Sequence, residues 1–212
     1  MKLFADRVDA GRRLIPSLKN LADRDAIVLA IPRGGVVVGY EVAKALKIPL
    51  DVIIPRKIGA PGNPELAIGA MTEDGTVLLD NRLVERLQVS EEYLKQQSDA
   101  QKREIHRRLY LYRGDVSYPS LENRDVILVD DGIATGSTMK AALASVRKRR
   151  AKTVTIAIPV GPPSTIRELE VKADHVVCLY TPEAFYAIGQ FYENFAQTSD
   201  EEVIRLLKLI RE

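Results

Sequence analysis

"VILVDDGIATGSTM" occupies residues 126–139, and its reading decides the fold. Four apolar residues, Val126 to Val129, run straight into two adjacent carboxylates, Asp130 and Asp131. A continuous apolar run of this kind reads as a strand buried on both faces, the mark of a parallel sheet covered by helices. In such sheets ligands bind beyond the carboxyl ends of the strands, where the two aspartates emerge. Carboxylates so close together avoid repulsion only by holding a proton or by binding cations or hydroxyl donors. Gly132 to Thr138 then leads into a helix. Small residues there let backbone N–H groups approach an anion, and the helix N-terminus adds about half a positive charge. Thr135, Ser137 and Thr138 add hydroxyl donors. One turn therefore offers acceptors for sugar hydroxyls and donors for a phosphate. The competing reading is an ordinary strand–loop–helix junction capped by Thr135 or Thr138, for which the double acid has no structural purpose.

Apolar runs of strand length recur on both sides. "AIVLAI" (26–31), "LDVIIP" (50–55), "TVLLD" (76–80), "DVILVD" (125–130), "TVTIAIPV" (153–160) and "HVVCLY" (175–180) are read as strands. "VVVGYEVAKALK" (36–47), Thr138–Arg150 and Ser164–Lys172 supply helices between them, as βαβ connections require. The expectation is an α/β fold, a doubly wound parallel sheet, in a single domain over 1–212 with its core at about 25–180. Residues 90–113 predict one long helix begun by Ser90 and ended by Gly114. Its charges are mixed, with Lys102, Arg103, Arg107, Arg108 and Arg113 against Glu91, Glu92, Asp99 and Glu104. That mixture predicts a solvated or subunit-contacting helix rather than an RNA-binding face. "SDEEVIRLLKLI" (199–210) predicts a last helix with Ser199 and Glu202 spaced as a capping box.

Composition narrows the function classes. The chain has 212 residues, 46% apolar and 28% charged, with a net charge of +2. That balance is typical of soluble globular proteins and argues against a nucleic-acid partner. No stretch reaches the roughly 20 apolar residues a bilayer needs, so no membrane partner is expected. The lone Cys178 sits in an apolar run, which predicts a buried structural thiol. The first residues lack the apolar core of a signal peptide, and a cytoplasmic location is expected. Neither a Walker loop nor a Gly-x-Gly-x-x-Gly turn is present.

The 126–139 stretch resembles the signature of type I phosphoribosyltransferases: an apolar run, two acids, and a small-residue loop containing Thr-Gly and then Thr. The resemblance implies that family's fold, with a small hood from the N-terminal segment and about 181–198, and the helix at about 90–113 as an insertion. It assigns Asp130 and Asp131 to the ribose hydroxyls of phosphoribosyl pyrophosphate (PRPP). It assigns Ala134, Thr135, Gly136, Ser137 and Thr138 to the 5′-phosphate. "PRGG" (32–35) resembles the family's pyrophosphate loop, so Arg33, Gly34 and Gly35 would meet the diphosphate, and a cis peptide is predicted at Pro32–Arg33. "RKIGAPGNPELAIGAM" (56–71) resembles the mobile loop that closes over the reacting centre. Arg56 and Lys57 would then neutralise the departing pyrophosphate, and Glu65 would contact base or metal. "PVGPPST" (159–165) either floors the base pocket through backbone groups of Val160 and Gly161 or is a proline-rich turn capped by Ser164. Phe185 and Tyr186, in the aromatic segment 181–195, either stack on the base or pack the hood's own core.

The implied reaction transfers a 5-phosphoribosyl group to a nitrogen of a nucleobase-like acceptor and releases pyrophosphate. Mg2+ is expected, held at Asp130 and Asp131 largely through the substrate. Family members acting on 6-oxopurines place an aspartate just before the Thr-Gly, where this chain has Ala134. The chain resembles predicted phosphoribosyltransferases whose acceptor is unassigned, and a homo-oligomer stays open. One rival is a PRPP-sensing regulator of the same fold, although about 24 residues before the first strand leave no room for a DNA-binding domain. A phosphosugar hydrolase is the other rival, but the acids lack the Asp-x-Asp spacing that puts two carboxylates on one side of a strand.

Overall fold

In a computed structural model describing residues 2–22, 24–114 and 117–211, the central apolar runs become strands whose residues alternate between two buried faces. In β1 (Ala26–Ala30), Ala26, Val28 and Ala30 face one core while Ile27 and Leu29 face the other. β2 spans Leu50–Val52, β3 Arg56–Ala60, β4 Asn63–Met71 and β5 Val77–Leu79. β6 (Asp125–Val129), β7 (Thr153–Val160) and β8 (His175–Tyr180) complete the described strands. The main sheet is parallel throughout, in the order β2-β1-β6-β7-β8. α1 (Arg7–Leu14), α2 (Gly34–Leu46) and α7 (Asp200–Leu209) pack on one face, through Leu14, Val42, Leu46, Val203 and Leu207. α5 (Ser137–Lys148) and α6 (Pro163–Glu170) cover the other with Met139, Leu143, Val146, Ile166 and Leu169. The expected doubly wound parallel fold is therefore present, together with a small antiparallel sheet.

Strand order places the site. β1 pairs with β2 on one side and with β6 on the other, so the winding reverses between β1 and β6. That reversal opens a crevice at the carboxyl ends of these two strands, and their register, Ala30 opposite Val129, brings the following segments side by side.

Three expectations need correction. "TVLLD" does not join the parallel sheet: β5 is the exposed edge of the antiparallel β3-β4-β5 sheet, with Val77, Leu78 and Leu79 36–39% exposed. A short apolar run cannot tell a buried strand from an apolar edge. Residues 56–71, expected as a loop, form the β3–β4 hairpin, with register shifts around Gly59 and an exposed tip at 61–66. The long helix α4 (Glu91–Arg113) is not merely a solvated insertion. Its Ile105 and Tyr112 enter the core shared with α2, and Arg113 forms a buried 2.8 Å ion pair with Asp51 of β2. α3 (Asn81–Arg86) links β5 to it.

The N-terminal segment packs on the segment after β8: Phe4, Phe191 and Tyr192 form a cluster joined by Phe185 and Phe195. Cys178, expected buried, is only half-buried, although desolvation still pushes its thiol up to about 11. Among the described residues, no helix is long and apolar enough to cross a membrane. The basic run at the end of α5 is neutralised locally, Arg147 by Asp174, Lys148 by Asp74 and Arg149 by Glu73.

Candidate active site

The segments leaving β1 and β6 touch at once. Ile31 N–H donates to the Val129 carbonyl at 2.9 Å, and the Pro32–Arg33 peptide that follows is cis. α2 begins at Gly34, two residues earlier than its apolar pattern indicated. A Cβ on Gly34 would lie 1.9 Å from Asp131 Oδ2, and one on Gly35 would lie 2.9 Å from Asp130 Cα. These glycines are therefore required by the approach of the acid pair, in addition to leaving amides accessible.

On the other side Gly136, with φ 72°, is the N-cap residue of α5. That conformation favours glycine, and a Cβ there would also sit 2.8 Å from Thr165 Cγ2. No side chain caps α5, so neither Thr135 nor Thr138 has the capping role of the competing reading. The helix's first N–H groups, which have no intrahelical partner in any α-helix, are thus left without a side-chain cap as well. The loop is pinned from below, where Thr165 Oγ1 donates to the Ala134 carbonyl at 2.8 Å and Ile133 N–H to the Val160 carbonyl at 2.9 Å. Ala134 and Thr135 remain exposed, with the Thr135 and Ser137 hydroxyls 3.1 Å apart.

The acid pair is managed by a residue the sequence reading did not single out. Arg7 Nε donates to Asp131 Oδ2 at 2.7 Å, the two side chains being only 11% and 12% exposed. Its guanidinium stacks 3.9 Å from the Phe195 ring centroid and donates to the Ala196 carbonyl at 2.7 Å. Tyr192 Oη donates to the Asp131 carbonyl at 2.6 Å, and Asp131 N–H donates to Asp130 Oδ1 at 2.8 Å. Burial, then the neighbouring Asp131 charge, push the Asp130 carboxyl well above its usual range. Burial also raises Asp131, with Arg7 pulling the other way. A signal for Arg7 did exist: it is the first residue of α1, where a cation opposes the helix dipole and so needs a partner elsewhere. Arg7→Met is expected to cost about 3–5 kcal/mol at neutral pH, as breaking a buried pair usually does. The deficit should shrink as pH falls, because Asp131 then takes up the proton it lacks a partner for. Denaturant unfolding at two pH values measures both effects.

A cleft of about 670 Å³ opens over these loops. It gathers Arg33, Gly34, Asp130, Asp131 and Thr138 with Arg56, Lys57 and Glu65 of the hairpin. Arg33 also lies 3.9 Å from Asp200 at the start of α7. The α4 side chains Tyr93, Gln97, Gln101 and Arg108 line the cleft too, and sequence reading missed them. Their spacing of four, four and seven residues puts them on one helical stripe, but mixed charge elsewhere on the helix masked it.

The candidates for base contact lie outside this cleft. Val160 is fully buried and its carbonyl is taken by Ile133, while Gly161 N–H donates to the Tyr180 carbonyl at 3.2 Å. Phe185 packs against Phe191 with ring centroids 5.1 Å apart, and Tyr186 is 89% exposed. α6 starts at Pro163 with no side-chain cap, so Ser164 does not cap it. The hood rings other than Tyr186 thus serve largely to pack the hood. Among the described residues, no three His, Cys, Asp or Glu side chains gather as a metal cage. The paired carboxylates suit a hard cation that completes its shell with ligand oxygens.

The comparisons agree with this architecture. The crystal structure of TT1426 from Thermus thermophilus superposes with a TM-score of 0.82 at 40% identity, covering 98% of each chain. A purine phosphoribosyltransferase from Pyrococcus horikoshii shares the fold, at TM-score 0.51 and 19% identity over 93% of this chain and 98% of that one. Rv0571c of Mycobacterium tuberculosis, described provisionally as a phosphoribosyl transferase, is 45% identical over 207 residues, 98% of this chain. The chain spans about half of that relative, 47% of its length. Residues 5–196 match the phosphoribosyl transferase domain. The chain belongs to the phosphoribosyl transferase domain family.

Proposed function

We propose that the chain acts as one domain that transfers a 5-phosphoribosyl group from PRPP to a nitrogen of a nucleobase-like acceptor, in nucleotide metabolism, and releases pyrophosphate. The observation that carries this reading is the meeting of three sites at one strand-order reversal: Arg33–Gly35, the aspartate pair and the uncapped start of α5. Asp130 and Asp131 accept hydrogen bonds from the ribose hydroxyls, exchanging a costly buried repulsion for partnered charge. The N–H groups of 134–138 hold the 5′-phosphate at the positive end of α5. Arg33 and the amides of Gly34 and Gly35 take the diphosphate.

Bond breaking leaves positive charge on the sugar and negative charge on the departing pyrophosphate, so catalysis is positioning and charge stabilisation. Arg56 and Lys57 meet the leaving group from the hairpin, and Glu65, at its exposed end, reaches toward base or metal. Closing that hairpin excludes water from the reacting centre. Mg2+, when bound with the substrate beside Asp130 and Asp131, would neutralise phosphate charge. Of the hood rings, the exposed Tyr186 would be the one to stack on an acceptor, worth about 1–3 kcal/mol. Ala134 offers no acid for a ring proton, which separates the acceptor chemistry from that of the 6-oxopurine enzymes.

The test is to supply PRPP and Mg2+ with a panel of purines, pyrimidines and their analogues and to follow pyrophosphate. Release with one acceptor class is expected. If no acceptor releases pyrophosphate while PRPP still binds, the transfer reading fails and a PRPP-sensing regulator takes its place.

A further inference from the structure

The α4 stripe is built into the cleft from both sides. Behind it, Ile105 and Tyr112 enter the core, and Arg113 is locked to Asp51. In front, Tyr93 Oη donates to the Gly59 carbonyl at 3.1 Å, and Arg56 Nε donates to Gln101 Oε1 at 2.9 Å. At about 1.5 Å per residue, the stripe from Tyr93 to Arg108 runs about 22 Å along one wall of the cleft. A helix that only covered the surface would not need polar side chains aimed at a catalytic hairpin.

Its charge is equally specific. Arg56 and Arg108 both line the cleft, close enough that Arg108, after burial, lowers the pKa of Arg56. Glu104 is engaged by Arg107 at 2.8 Å and Arg108 at 2.7 Å, and these partners hold its carboxyl down at about 2. Arg56 forms no ion pair among the described residues. Three guanidinium groups, those of Arg56, Arg107 and Arg108, thus stand near the single carboxylate of Glu104, which leaves this wall of the cleft net positive, and the planar forks of Arg56 and Arg108 match phosphate oxygens. Tyr112, one turn beyond Arg108 on α4, donates to Asp200, the carboxylate that Arg33 faces at 3.9 Å, so Arg108 stands beside the loop that would take the diphosphate.

We infer that Arg108 is a binding residue for the diphosphate of the phosphoribosyl donor, and that Gln101 positions Arg56 beside it. The long helix is then a wall of the phosphate site supplied by the chain itself. This rests on the donor reading above, so its test uses magnesium pyrophosphate and ribose 5-phosphate as separate calorimetric probes. Arg108→Gln should weaken pyrophosphate binding on the order of tenfold, the value of a charge-assisted contact, and leave ribose 5-phosphate unchanged. Arg103→Gln, on the exposed side of α4, should change neither. Gln101→Leu should weaken pyrophosphate less, and this effect should vanish in an Arg56→Gln background, which a purely structural role would not produce.

Pyrophosphate affinity of Arg108→Gln within about twofold of the parent, or equal loss of both probes, overturns the inference. So does failure of the unaltered protein to bind pyrophosphate. Loss at Arg108 without transfer to any acceptor upholds the α4 site and sinks only the transfer reaction.

Discussion

Asp130→Asn combined with Asp131→Asn should abolish PRPP binding, while the two single variants should move stability in opposite directions. Each carboxylate that loses a charged hydrogen bond to a ribose hydroxyl forfeits about 1.5–3 kcal/mol, so the pair together removes roughly two to four orders of magnitude in affinity. Stability separates the two residues. Asp130 has its carboxyl raised by burial and by Asp131, so its ionised form is disfavoured in the folded protein. Its folded value lies above the unfolded value of about 3.9. Between the two, the folded state holds more protons and stability falls as pH rises. Asp130→Asn removes that loss and keeps the acceptor for Asp131 N–H, so the ligand-free variant should melt higher than the parent at neutral pH and similarly in acid. Asp131→Asn instead strips Arg7 of its counter-ion and should lose about 3–5 kcal/mol. Melting curves across pH, with PRPP titrations, read all three outcomes. A melting point for Asp130→Asn at or below the parent at neutral pH would contradict the charge account.

Gly34→Ala is expected to be the most damaging small substitution in the chain. The added methyl would stand 1.9 Å from Asp131 Oδ2 and 2.5 Å from Arg7 Nε, two atoms already locked to each other. Neither is the free end of a flexible chain, so the ion pair or the first turn of α2 must move. Overpacking costs about 1–3 kcal/mol, and displacing the buried pair adds up to about 3–5 kcal/mol. With Gly34 also in the loop proposed to hold the diphosphate, PRPP binding should be lost along with stability. Gly62→Ala serves as the comparison, since a Cβ there meets no atom within 4 Å; its left-handed backbone confines the change to local strain. Equal destabilisation by the two substitutions would show that the close approach of loop and acid pair does not matter.

The parts legible from sequence were those whose physics is local. Continuous apolar runs announced β1, β6 and β7 because both faces of a central parallel strand are buried. The aspartates and small residues after β6, and the glycines after β1, declared themselves because close backbone approach leaves few residue choices. What escaped was tertiary. Arg7 lies 124 residues from Asp131, and only its unfavourable place at a helix start hinted at a distant partner. The α4 face was hidden because its cleft-lining stripe carries two glutamines and one arginine among many exposed charges. β5 and the hairpin were misread because pattern fixes neither which sheet a short strand joins nor whether a Gly/Pro-rich segment pairs with itself.

The most direct measurement is a crystal structure of the protein with PRPP and Mg2+. The account predicts the 5′-phosphate on the backbone N–H groups of 134–138 and the ribose hydroxyls on Asp130 and Asp131. It predicts the diphosphate between Arg33–Gly35 and the wall formed by Arg56 and Arg108. A sugar diphosphate bound elsewhere, or bound here with its ribose away from the two aspartates, would contradict it.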